Sequence, residues 1–224
     1  MQRRPSAPDE PAYSVLEEIL HSASHGLGAV LSLAGTVVLV ILTTRAAEVS
    51  VSKTAAVGLY GSTLVLLYTA STLYHGTRHP RLKRTFQVLD HCAIYALIAG
   101  TYTPFLMVNL QGSLGEPLLA VIWSLAVIGV VLKVWRPRGF DRLHLTGYFT
   151  LGWLILVAAG EIPTAFSPTG LGLLIAGGLT YSIGVVFFLI RAIPFNHAVW
   201  HLCVMGGSAC HYFAVYTEVL PFRG

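Results

Sequence analysis

Three histidines, one carboxylate and one serine in this chain have the types and spacing that metal chemistry requires. In "HAVWHLCVMGGSACH", His197 and His201 stand four residues apart, so on a helix they project from one face about a turn from each other. "ASTLYHG" gives Ser71 and His75 the same spacing, and "VLDHCAIY" supplies Asp90. Three imidazole nitrogens and a water make a four-coordinate zinc site with an open position. Zinc in such a site polarises a carbonyl and lowers the pKa of its water to about 7. Asp90 would orient or deprotonate that water, or accept a hydrogen bond from a ligand imidazole. Ser71, one turn from His75, would bond the same water or a substrate oxygen. The competing reading is a polar cluster that locks helices together without a metal.

These residues lie far apart in sequence, so the elements carrying them must bring them together. The chain has 224 residues, 54% hydrophobic and 11% charged, with a mean hydropathy of +0.69. A soluble domain carries roughly a quarter charged residues, so the composition is that of a membrane protein. Apolar runs long enough to cross a bilayer need roughly 17–25 residues, and seven are expected: 25–44, 55–74, 88–108, 117–134, 143–162, 169–190 and 196–219. Residues 1–16, with Pro5, Pro8 and Pro11, read as a disordered cytoplasmic leader, and 17–224 as one seven-helix, all-α membrane domain. The short connections leave no room for an extramembrane domain.

Lysine and arginine bias sets the orientation. A cytoplasmic N-terminus places Arg3, Arg4, Arg78, Arg81, Lys83, Arg84, Lys133, Arg136, Arg138, Arg142 and Arg191 inside, eleven of fourteen, and leaves Arg45, Lys53 and Arg223 outside. The C-terminus is then extracytoplasmic. The pI of about 9.1 follows from this topology and implies no nucleic-acid partner. With that orientation His75, Asp90, His197 and His201 all fall at the cytoplasmic side. Ionisable residues inside membrane spans are functional candidates by default.

The remaining histidines read differently. His211 lies about 15 Å deeper than His201 along a helix, too far to share a metal, and is expected buried and hydrogen-bonded. Glu18, His21 and His25 sit at the entry of the first span, as supporting or interfacial groups rather than ligands. His79 and His144 are expected to be solvated. Tyr74, Tyr102, Phe105, Trp135, Phe195 and Trp200, near span ends, read as interfacial anchors. No GxSxG, HExxH or CxxC occurs, which removes the visible basis for a serine hydrolase, a zincin or a thiol redox enzyme.

At "EEILHSASHGLGA", "STLYHGTRHPRLKRTFQVLDHCAIYALIAGTYTPF" and "YSIGVVFFLIRAIPFNHAVWHLCVMGGSACHYFAVY" the chain resembles the hemolysin III family, the bacterial branch of the progestin and adipoQ receptor (PAQR) superfamily. The resemblance runs from Glu17 to Tyr216. It implies seven spans with a cytoplasmic N-terminus in a bacterial inner membrane. In the adiponectin receptors of this superfamily, three histidines hold zinc near the cytoplasmic face, with a water between metal and aspartate. By motif, the resemblance makes His75, His197 and His201 the zinc ligands, Asp90 the aspartate and Ser71 the serine. The first-span motif more often has asparagine where this chain has His21. Those receptors have been linked to hydrolysis of ceramide-like amides, so the expected activity is zinc-dependent hydrolysis of a lipid amide or ester, with membrane lipids as environment and substrate. The alternatives are a pore-forming or transporting protein with a structural zinc, and a membrane receptor or sensor.

Overall fold

The computed structural model describes residues 13–46, 49–110 and 114–220, and among them every regular element is helical. In chain order these are α1 (Val15–Thr44), α2 (Val51–Gly76), α3 (Pro80–Val108), α4 (Gly115–Trp135), α5 (Asp141–Gly152), a 3-10 helix (Leu154–Ala158), α6 (Ile162–Ala165), α7 (Pro168–Leu189) and α8 (Asn196–Glu218). Helices α1, α2, α3, α4 and α7 are each long and apolar enough to cross a membrane. Helix α8 has the length, with 23 residues, but carries three histidines along it. The chain is a multi-pass membrane protein.

Helix α1 starts ten residues before the expected span. Its N-terminus is fixed by Ser14, whose hydroxyl accepts from the Glu17 amide while the Glu17 carboxylate accepts from the Ser14 amide. This reciprocal cap satisfies two donors that a helix start would otherwise leave unpaired. Of the leader expected to be disordered, residues 13–16 are thus ordered, and 1–12 lie outside the described residues. Thirty residues rise about 45 Å, half as long again as a hydrocarbon core of about 30 Å, so α1 has turns to spare beyond the apolar layer.

The fifth apolar run departs from the expected continuous helix. It breaks after Gly152 into the 3-10 turn and α6. The Tyr102 hydroxyl, from α3, donates to the Leu151 and Gly152 carbonyls and accepts from the Ile155 amide. A side chain inserted into the backbone ladder in this way is one of the recognised causes of a helix kink. The freed backbone groups are thereby satisfied, as a lipid environment demands.

Helices α1, α2 and α3 pack in sequence order, α7 packs along α8, and α8 returns to α1 and α3. The buried core is centred on α2 and α3, with Tyr60, Leu64, Tyr68, Leu97, Ala99 and Leu106 all enclosed. The antiparallel order puts the start of α1, the end of α2, the start of α3 and the start of α8 at one end. At the other end Glu218, buried on α8, accepts from the Ser167 amide and hydroxyl at the start of α7. A carboxylate suits a helix N-terminus, where backbone N–H groups point outward.

Close approach of α1 to α2 depends on Gly61, because a Cβ there would run into the side chain of Thr36. At Gly58, almost one turn away on the same helix, a Cβ meets nothing within 4 Å. Overpacking of this kind costs about 1–3 kcal/mol, whereas alanine in an open helical position is neutral or favourable. Gly61→Ala should therefore lower the thermal unfolding midpoint of detergent-solubilised protein, while Gly58→Ala leaves it unchanged or raises it. The scan that checks this compares both variants with wild type.

Candidate metal centre

Five histidines converge at the end where α1, α2 and α8 meet. His21 and His25 lie on α1 at the i, i+4 spacing, and both are buried. His75 closes the last turn of α2, with Pro80 opening α3 a short turn later. His197 and His201 occupy the first turns of α8, directly after Phe195, which adopts a left-handed conformation with φ 57°. Phe195 lies in the connection from α7 to α8, and the start of α8 brings the His197 ring within 5.2 Å of the His75 ring.

One donor atom from each of His21, His75 and His197 lies within 4.8 Å of the other two, close enough to hold a metal ion. Zinc–nitrogen bonds of 2.0–2.1 Å in a tetrahedron put ligand nitrogens roughly 3.3 Å apart, so small ring rotations bring the three together. The His201 ring stands 4.7 Å from that of His197 and 5.0 Å from that of His75, centroid to centroid, although no His201 nitrogen joins the close trio. His25 stacks flat on His201 at 3.6 Å and meets the Tyr68 ring edge-on. Tyr13 covers the cluster, its ring 4.9 Å from His21 and 5.1 Å from His197.

The hydrogen bonds around the cluster select a tautomer. Glu18 Oε2 accepts from His75 Nδ1 at 2.7 Å, and Glu18 Oε1 accepts from Lys83 Nζ at 2.7 Å. His201 Nδ1 faces the His21 carbonyl at 3.2 Å, and the Ser24 hydroxyl donates to that same carbonyl at 3.0 Å. A carboxylate and a carbonyl only accept, so Nδ1 carries the proton in both rings and the lone pair resides on Nε2. A ligating histidine commonly has this arrangement, with its second N–H on a carboxylate or carbonyl.

The donors also lack partners of their own. Both ring nitrogens of His21 and of His25, His75 Nε2 and His197 Nδ1 are buried without a hydrogen-bond partner. An unpaired buried polar atom costs about 1–3 kcal/mol, so several in one place fit a cation far better than an empty polar cluster. Ser71, one turn from His75, is 1% exposed and its hydroxyl is unpartnered. Asp90 is half-buried on α3 and is not among the groups in the close trio.

Several expectations need correction here. His144 is not solvated: it is buried, with Nδ1 3.0 Å from the Tyr95 hydroxyl. It belongs to a second polar site with Lys133, which is 2% exposed and donates to Asp141 across 3.4 Å. Tyr74, Tyr102 and Phe105 are core residues rather than interfacial anchors, whereas Trp135 and Phe195 are exposed. His79 is exposed, as expected. His211 packs under Gly177 with Nε2 3.3 Å from the Leu174 carbonyl, remote from the cluster. A cavity of 570 Å³ lined by Leu106, Glu116 and Trp123 opens at the opposite end of α3 and has no part in the histidine centre.

Sequence comparison places these features among known proteins. The profile of the haemolysin-III related family matches residues 13–212. Hemolysin-3 of Bacillus cereus is 45% identical over 92% of this chain and 94% of its own length. The hemolysin-3 homolog of Bacillus subtilis is 41% identical over 94% of this chain and 99% of its own. Human monocyte to macrophage differentiation factor is 33% identical over 70% of this chain and 68% of its own.

Glu18 fixes the His75 ring while its own position is fixed by Lys83. Loss of a ligand-orienting partner lowers metal affinity about 10–100-fold. Glu18→Gln should weaken divalent-metal binding at this cluster by that factor, as read by zinc titration against a chromophoric chelator, and Lys83→Met should weaken it less.

Proposed function

The chain belongs to the haemolysin-III related family, and on that footing we propose that it is an intramembrane zinc-dependent hydrolase acting on a lipid-like amide or ester. The observation that carries this reading is the buried, partnerless set of histidine nitrogens at the junction of α1, α2 and α8. His75, His197 and His201 hold the ion. When bound, zinc supplies Lewis-acid polarisation of a carbonyl and makes a water acidic near neutral pH. Glu18 keeps the His75 lone pair on Nε2, and the His21 carbonyl does the same for His201.

Ser71 has a buried hydroxyl with no competing bond, one turn along α2 from His75, and donates to the substrate carbonyl oxygen. Asp90 takes the proton from the attacking water and returns it to the leaving amine or alcohol. The substrate arrives laterally from the bilayer, since the connections are too short to build a pocket in water. On this reading the chain crosses a bacterial inner membrane seven times, and the charge bias supports a cytoplasmic position for this end of the bundle. The broken fifth run would then be an interrupted span, with Tyr102 bonding the backbone groups at the break.

Reconstituted wild type should contain about one zinc per chain and release fatty acid from a ceramide or ester lipid. Asp90→Ala should keep the metal and lose turnover by a factor of about 100 or more, the usual scale for a general base. His75→Ala should lose both. Full zinc occupancy with hydrolysis no faster than in Asp90→Ala would sink the proposal, and conductance that survives zinc removal would favour a pore.

A further inference from the structure

The sequence suggests only a supporting or interfacial part for His21, whereas the structure puts that histidine inside the cluster. His21 is 0% exposed and neither ring nitrogen has a partner. It is also a member of the one close donor trio found among the described residues, which His201 is not.

The four rings of His21, His75, His197 and His201 have a definite shape. Their six centroid separations are 4.7 Å (His21–His75), 4.7 Å (His21–His197), 5.2 Å (His21–His201), 5.2 Å (His75–His197), 5.0 Å (His75–His201) and 4.7 Å (His197–His201). Six edges between 4.7 and 5.2 Å define a roughly regular tetrahedron. Four imidazoles on a tetrahedral zinc, with nitrogens at 2.0–2.1 Å and ring centres about 1.1 Å further out, have centres roughly 5.2 Å apart. The ring centres thus stand close to the spacing of a four-imidazole sphere, and His201 would join it by reorienting its ring so that Nε2 faces the other three. Three of the four come from helices α2 and α8, and the fourth comes from α1.

We propose that His21 is a fourth protein ligand, so that the resting metal is closed by His21, His75, His197 and His201. The inference rests on the reading that this cluster holds a metal, and it adds a regulatory consequence to the proposed hydrolase. Water or substrate would gain access to the metal only if His21 gave way or a fifth ligand were accepted, as zinc chemistry allows. Helix α1 is the natural element to yield, because α2 and α8 carry the other three rings and the N-terminal turns of α1 extend beyond the apolar run.

The test uses full-length protein in detergent with cobalt in place of zinc, and azide as a probe for an open position. Wild type should bind one cobalt per chain, show the intense visible absorption of a four-coordinate ion, and leave that spectrum unchanged when azide is added. His21→Asn should keep the cobalt, respond to azide, and lose zinc to a chelator about 10-fold faster or more. X-ray absorption should count four imidazoles in wild type and three in the variant. His79→Asn, at the exposed start of α3, should behave as wild type. The azide response of wild type requires no variant to fold, and His21→Gln provides a second substitution of similar size. A wild-type spectrum that shifts with azide as His21→Asn does, or three imidazoles in both, overturns the inference alone. Folded wild type that binds no cobalt overturns the metal reading and this inference together.

Discussion

The arrangement of this bundle depends on what happens to imidazole nitrogens when they are removed from water. Each unpaired nitrogen in an apolar interior is a standing penalty. Of the eleven buried side-chain polar atoms left without a partner among the described residues, six belong to His21, His25, His75 and His197. His144 and His211 leave only one nitrogen each unpaired, the other being bonded to Tyr95 and to the Leu174 carbonyl. The concentration of orphaned donors at one point, with Nδ1 of His75 and of His201 already engaged outward, is what a cation would resolve. Dispersed packing defects would not collect on four rings from three helices.

Several buried polar groups elsewhere meet a partner within the protein. Lys133 reaches Asp141, Glu218 meets Ser167, Trp153 donates to Ser182, and Tyr102 serves the broken backbone of the fifth run. These are pairwise solutions, each closed within the protein. The histidine centre is different: Nδ1 of His75 and of His201 is bonded outward, while both nitrogens of His21 and His25, Nε2 of His75 and Nδ1 of His197 have no partner. That asymmetry separates a site prepared for a ligand from a structural network, which is stable only when every member is satisfied.

Much of this was legible in the sequence. The i, i+4 spacing of His197 and His201 and of Ser71 and His75, with their place at one depth, follows from helical periodicity and an antiparallel order. The part of His21 was not, because apolar periodicity locates spans by their greasy stretch, and α1 begins ten residues before its own. The signal was nonetheless present: Ser14 and Glu17 form a capping box by type and spacing. A helix begun at Val15 puts His21 and His25 on one face, each able to look toward α2 and α8. The break after Gly152 was beyond local reading, since the hydroxyl that stabilises it comes from Tyr102, 50 residues away. The burial of His144 was hidden for a similar reason: its partner, Tyr95, is 49 residues distant.

The position of the centre also bears on how the chain holds together. Helix α1 packs against α2 and α8, and these are the helices that carry the other histidines. The contact between Ser24 and His201 spans 177 residues, so the cluster joins the first helix to the last. Contacts of such long separation carry the largest loop-closure penalty, although that penalty grows only logarithmically with length. A metal bound by residues from both ends of the chain would offset it in one step, since ligand binding to the folded state alone adds directly to stability. The ion proposed for carbonyl activation would then also fasten α1 to the bundle. Release of His21 would loosen the first turns of α1 without unfastening the rest, because α2 and α8 would keep their three ligands.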